Sequence, residues 1–280
     1  PHISNFTDLD ALTALPEVRV RYVSHAEELG RPDLVVLPGT KATLGDLAWM
    51  GAHGLDATLR QHAVAGGLVL GICGGYQMLG LEIHDPLGVE GGGCQEGLGL
   101  LPVRTAFTQE KTLCSSAGTT LQLEGPFADL SNLDVAGYQI HMGQTTLEGG
   151  MPFCLLTDAG DAAGNTAQAY ACFNNNDTAY DQPGRTPSNG KLSGGAVQST
   201  YEDGCVAGAV MGTYLHGLFD SVPFTQALID MLLARKGMPD VRINAHDRAA
   251  RREQQLDVLA DTLRASLDMD LVYRILEEGI

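Results

Sequence analysis

The chain has 280 residues, 44% of them hydrophobic and 18% charged, the composition of an ordinary globular protein with room for one large or two modest domains. Its 17 Lys and Arg stand against 34 Asp and Glu, a formal net charge of −17. That balance repels phosphate backbones and anionic lipid surfaces, so neither nucleic acid nor a membrane is an expected partner. No apolar run nears the roughly 20 residues of a membrane helix and the first residues lack the zones of a signal peptide, so a cytoplasmic protein is expected.

In chain order, Val18 to Val23 reads as a strand, and Asp33 to Leu37 as a buried one stopped by Pro38. Residues 43–65 have helical spacing interrupted near Gly51 and Gly54. Leu68 to Ile72 is a short apolar strand, followed by a glycine turn and the helix-compatible Tyr76 to Leu79. This alternation predicts a parallel sheet with helices on both faces. From about residue 98 the character turns towards β, with strands expected at 98–107, 119–123, 136–142 and 153–157, placed as antiparallel additions at a sheet edge. Residues 158–204 are rich in Gly, Asn, Asp, Ser and Thr without periodicity and read as a long surface insertion. An apolar strand over 205–212 follows, then helices at about 223–236, 246–266 and 269–278.

The six cysteines, at 73, 94, 114, 154, 172 and 205, form no C-x-x-C pair, which argues against a metal site or a disulfide framework. One of them sits in Gly71-Ile72-Cys73-Gly74-Gly75, between a buried strand and a helix. Glycines two before and two after relieve the crowding of a sharp strand-to-helix turn, the pattern of a nucleophile elbow. The partial positive charge at a helix start favours the thiolate there. The alternative is a buried structural cysteine in a glycine-rich turn.

A thiol acting on an amide needs a histidine to move protons. His216 is the first candidate, because it ends the 206–214 run, where a parallel strand delivers it to the sheet edge that carries Cys73. His141 is second, and His53, His62 and His246 read as surface residues. The loop Pro38-Gly39-Thr40-Lys41 directly follows a buried strand. Its backbone N–H groups, with that of Gly74, are suited to an oxyanion hole. A phosphate loop is rejected because G-x-x-x-x-G-K-[ST] is absent.

Together these segments resemble the glutamine amidotransferase domain of the cobyric acid synthase family. The resemblance is carried by Ile3 to Asp8, Leu37 to Lys41, Gly71 to Gly80, Glu96 to Pro102, Ile140 to Gly143 and Gly212 to Gly217. It implies a class I amidotransferase-like α/β fold, an open, mostly parallel sheet with helices on both faces and added edge strands. Cys73 would attack the side-chain amide of L-glutamine, His216 would shuttle protons, Gln77 would help hold the substrate, and Gly39, Thr40 and Gly74 would line the oxyanion site. The whole chain, 1–280, would be one amidotransferase domain with an insertion at 158–204. An N-terminal ligase domain would be absent from it, in keeping with a start at Pro1. No cofactor is expected in this chain. ATP and Mg would serve the ligase domain, which would take the ammonia to a corrinoid, adenosylcobyrinic acid a,c-diamide.

The related amidotransferases of cobyrinic acid a,c-diamide synthase and of lipid II amidation are alternatives, as is a non-catalytic module that binds glutamine or docks a partner. Two departures from wider patterns stand out: Leu218 occupies the place where triad enzymes carry a glutamate two residues after the histidine, and Gln139 stands where the family often has glutamate. The expectation is therefore a Cys73–His216 dyad, with Asp220, the nearest downstream acid, of minor importance.

Overall fold

The computed structural model describes residues 1–158, 200–246 and 248–278. After a single 3-10 turn at Phe6–Leu9, helix α1 (Asp10–Thr13) leads through an irregular stretch to strand β1 (Leu34–Leu37). Helices α2 (Thr43–Ala52) and α3 (Leu55–Val64), strand β2 (Leu68–Ile72) and helix α4 (Gly74–Leu79) follow. Every residue of β2 is buried, as expected of an apolar strand in the middle of a parallel sheet with both faces covered. Its parallel neighbours are β1 on one side and β10 (Val210–Thr213) on the other. The edge is closed by β9 (Cys205–Ala207), antiparallel to β10.

Register places Gly71 beside both Leu37 and Gly212. The segments that leave the carboxyl ends of β1, β2 and β10 therefore emerge side by side. They carry Gly39, Cys73 and His216. Ligand sites of α/β sheets collect at this edge, because loops from neighbouring strands converge there.

The β-rich middle builds a second sheet of β3 (Glu82–Asp85), β4 (Gly93–Glu96), β5 (Val103–Thr120), β6 (Asp134–Leu147), β7 (Cys154–Asp158) and β8 (Thr200–Asp203). Strands β5 and β6 pair along most of their length, with a register shift between Ala106 and Lys111. Bridges Tyr138↔His216 and Met151↔Val206 join the two sheets. Helix α5 (Val222–Arg235) packs on β6 and on the turns at 125–130 and 218–220, and α6 (Arg248–Ser266) and α7 (Met269–Glu278) end the chain. None of the helices described is long and apolar enough to cross a membrane.

The α/β class, the parallel strands at 34–37 and 68–72 and the helices at 222–235, 248–266 and 269–278 agree with the pattern in the sequence. Gly54, at φ +68°, separates the two helices read as one interrupted stretch. Val18 to Val23 forms no strand, although Val18 and Val20 pack on the core. The nearby Arg21 guanidinium is bonded to the carbonyls of Glu28 and Leu29. The strand read at 98–107 starts only at Val103, because Leu98 to Leu101 spend their N–H groups on the carbonyls of Met78, Leu79 and Gly80. Most of the insertion read at 158–204 lies outside the described residues; at its ends, Asp158 closes β7 and Thr200–Asp203 pairs with that strand as β8.

Asp203 ties β8 to the strand that delivers His216. Its buried carboxylate accepts from Thr213 Oγ1 and, at 3.3 Å, from the Tyr214 N–H. Burial outweighs these donors and pushes the carboxyl up to about 6. A carboxyl raised on folding stabilises the native state while protonated and loses that contribution as pH rises towards about 6. Wild-type stability should therefore fall by up to about 3 kcal/mol more than that of Asp203→Asn between about pH 4 and pH 7. Thermal melts of the two proteins across this range check it, and parallel curves would refute it.

Candidate active site

Cys73 occupies the one-residue link between β2 and α4, at φ 53° and ψ −114°. A non-glycine residue in such a conformation costs on the order of 1–3 kcal/mol and persists only where its surroundings impose it. Here they do. A methyl on Gly75 would lie 2.0 Å from the Leu37 carbonyl oxygen, and one on Gly71 2.7 Å from the Tyr76 nitrogen. The Cys73 N–H donates to Thr213 O at 2.8 Å, fixing the elbow to β10. The thiol, largely buried, is 3.4 Å from the Ile140 carbonyl of β6.

His216 is fully buried, and its Nδ1 stands 2.7 Å from Asp8 Oδ2, on a carboxylate equally buried. The other Asp8 oxygen accepts the Gly217 N–H at 3.0 Å and the Asn5 side-chain amide at 2.9 Å. Nδ1–H on the carboxylate fixes the tautomer and leaves Nε2 as the working nitrogen. Nε2 is buried without a hydrogen-bond partner among the described residues. The Cys73 sulfur nevertheless lies near enough to act on the ring's charge. Burial pulls the imidazole pKa down, but the Asp8 and Cys73 interactions outweigh it and hold the pKa up at about 10. The Tyr138 ring stacks on the imidazole with centroids 5.1 Å apart, and the Tyr138 hydroxyl accepts from Asn5.

Gly39 lies between Cys73 and His216. A Cβ there would be 2.9 Å from His216 Cε1 and 3.5 Å from Cys73 Cβ. The Thr40 nitrogen is 3.1 Å from where a Gly74 Cβ would stand, so the loop backbone and the start of α4 face one another across the site. Thr40 Oγ1 donates to Asp46 Oδ2 at 2.6 Å and accepts from the Ala42 N–H at 3.1 Å, which holds the loop in place.

The structure thus brings Cys73, His216, Gly39, Thr40 and Gly74 together. Gln77 is close by but spends its buried amide on protein, donating to Tyr214 Oη at 3.1 Å and accepting from Thr43 Oγ1 at 3.4 Å. His141 stacks on Tyr214, with Nδ1 3.1 Å from Gly143 O. The dyad expectation needs correction, because a third group is present. Leu218–Asp220 winds into a 3-10 turn and leaves the strand direction, and the acid on His216 is Asp8, 208 residues away in sequence. Sequence reasoning looked for this acid next to the histidine and missed Asp8, Asn5 and Tyr138. The available signal was the Ile3 to Asp8 motif, in which Asn5 and Asp8 had been given no role.

The model of the CobB/CobQ-like glutamine amidotransferase domain matches residues 1–180. The chain belongs to the CobB/CobQ-like glutamine amidotransferase family. It is 39% identical over 280 residues to the cobyric acid synthase of Lachnoclostridium phytofermentans, covering 100% of this chain and 49% of that protein. It is 43% identical over 286 residues to the cobyric acid synthase of Citrobacter koseri, covering 99% of this chain and 48% of that protein. The chain therefore spans about half the length of the curated relatives it matches. Among solved structures, PurLQS from Thermotoga maritima aligns at 15% identity and a TM-score of 0.49, over 83% of this chain and 95% of that one.

The glycines of this amidotransferase site separate into two kinds. Gly39→Ala places a methyl against side chains, His216 and Ser4, whereas Gly75→Ala drives one into the Leu37 backbone. Gly39→Ala should cost less stability than Gly75→Ala while losing at least about tenfold in turnover, because its methyl would press on the His216 ring beside Cys73. Gly75→Ala should lose several kcal/mol, on the order of the largest single-site effects. Parallel melts and ammonia-release assays distinguish these outcomes.

Proposed function

We propose that this chain hydrolyses L-glutamine through a Cys73 thioester and supplies the ammonia to an ATP-dependent ligase half of the full-length protein. The observation that carries the reading is the joint placement of a strained cysteine elbow, a carboxylate-held imidazole and a glycine loop at one sheet edge. The thiol proton already resides on His216 Nε2, where Asp8 stabilises the imidazolium, and the Sγ thiolate attacks the side-chain carbonyl carbon. The oxygen, now negatively charged, is met by N–H groups of the Gly39–Thr40 loop and of Gly74. First-turn N–H groups such as that of Gly74 have no acceptor within their own helix and are available for this. His216 returns the proton to the departing nitrogen, and ammonia leaves. The neutral His216 then takes a proton from water, whose oxygen attacks the thioester to release glutamate and restore the Cys73 thiolate beside the His216 imidazolium. Asp8 keeps Nδ1 protonated throughout and balances the imidazolium charge, the part a triad carboxylate plays. Gln77 acts by bracing Thr43 and Tyr214 beneath the elbow.

The cobyric acid synthase relatives support a place in cobalamin biosynthesis, with adenosylcobyrinic acid a,c-diamide as the final amide acceptor. On this reading the acceptor, ATP and Mg are bound by the ligase half, and the enzyme works in the cytoplasm.

A glutamine-like electrophile such as diazo-oxo-norleucine should modify Cys73 and no other cysteine, and peptide mapping reads this directly. Label on Cys94 or Cys205 would overturn the assignment. His216→Ala and Asp8→Asn should each lower turnover by about 10²-fold or more, the scale of a lost general base or its orienting acid, whereas Asp220→Asn should cost less than about tenfold. Equal losses for Asp8→Asn and Asp220→Asn would contradict the placement of the acid.

A further inference from the structure

The first residues lie across the site as a strap. Ser4 N–H donates to Gly39 O at 2.9 Å, Lys41 N–H donates to His2 O at 3.1 Å, and Ile3 and Thr40 form an antiparallel bridge. Asp46 anchors the outer end, accepting from the His2 N–H at 3.2 Å and from Thr40 Oγ1 at 2.6 Å. A few residues on, Asn5 links Asp8 to the Tyr138 hydroxyl, and Asp8 holds His216. One short segment therefore grips both the loop that would receive the oxyanion and the base that moves the proton.

The orientation of its side chains is the reverse of what a stabilising clamp would use. Phe6, the large apolar residue of the strap, is 58% exposed, while Asp8 is buried at 3%. Burying a carboxylate is costly unless it is paired and hydrogen-bonded, and here the pairing is made to His216. A strap selected for adhesion alone would bury the phenyl ring and leave the acid in water.

We propose that His2–Asp8 is a positioning strap for the glutaminase site, one segment that holds both the Gly39–Thr40 loop and the His216 imidazole in register with Cys73. The proposal rests on the reading of this chain as a glutaminase. In the curated relatives the matching region is the C-terminal half, so the counterpart of the strap is the stretch by which the preceding half adjoins this domain.

The strap's reach allows a test that a purely local acid would fail. Ser4→Pro removes the N–H given to Gly39 and touches neither Asp8 nor His216, and Asn5→Ala removes the brace on Asp8 without altering the backbone. Steady-state ammonia release is measured for wild type, Ser4→Pro, Asn5→Ala, Asp8→Asn and the Ser4→Pro/Asp8→Asn double variant, with a thermal melt of each. Each strap variant should lose about tenfold or more in kcat with KM within about twofold, because groups misplaced by the order of an ångström lose transition-state contacts. The double variant should be no slower than the slower single variant within about twofold, as for residues that act as a unit. Wild-type kcat in Ser4→Pro and Asn5→Ala, or losses that multiply in the double variant, would overturn the proposal. Should Ser4→Pro fail to fold, Asp46→Asn takes its place, because it loosens the outer end of the strap at His2 and Thr40 without touching Asp8; wild-type kcat in that variant would overturn the proposal. A wild-type chain that releases no ammonia and leaves Cys73 unlabelled would sink the glutaminase reading itself, a result separate from a failure of the strap.

Discussion

A carboxylate and an imidazole, both almost wholly removed from water, meet 2.7 Å apart across 208 residues of chain. Such a pair persists where further hydrogen bonds hold the carboxylate, because the desolvation of two ions otherwise exceeds their attraction. Asp8 meets this condition through His216, Asn5 and the Gly217 backbone. The arrangement constrains much else: the start of the chain must lie over the loop after β1, and β10 must end beneath it. Tyr138 of β6 stacks on the imidazole, so the second sheet is also drawn up to the site.

The elbow at Cys73 is the counterpart of that pair. Its backbone conformation is held by close approaches that only glycine permits, with Gly75 against β1 and Gly71 against the first turn of α4. Strain at the nucleophile is thus borne by the most buried strand of the parallel sheet. Cys73 is carried between a strand and a helix, His216 is set by a buried pair, and the Gly39–Thr40 loop is tied down by Asp46 through Thr40. Of the three, the loop and His216 are both tied to the strap by hydrogen bonds.

The chemistry of short range was legible in the sequence. Glycines flanking Cys73, the stop at Pro38, the apolar run at 68–72 and the histidine after Tyr214 are local patterns, and local sterics are enough to interpret them. The loop glycine Gly39 was readable in the same way, the family resemblance added Gln77 to this set, and the late helices were readable from their periodicity. Each of these features depends on residues within about a turn or a strand of one another.

The acid on His216 was not readable in that way. Nothing near His216 in sequence supplies it, since Leu218 cannot accept a hydrogen bond and the chain turns away into a 3-10 helix before Asp220. Only the packing of the N-terminal segment against the carboxyl edge of the parallel sheet brings Asp8 there. For the same reason the β-rich middle could be recognised as strands while their gathering into a second sheet could not, because pairing is decided between segments rather than within them. The sequence by itself determined the elbow, the histidine and the α/β class, through sterics and hydrophobic period acting over a few residues. The tertiary structure decided the third member of the site and the way it is held, through hydrogen bonds and burial between residues that only the folded chain makes neighbours.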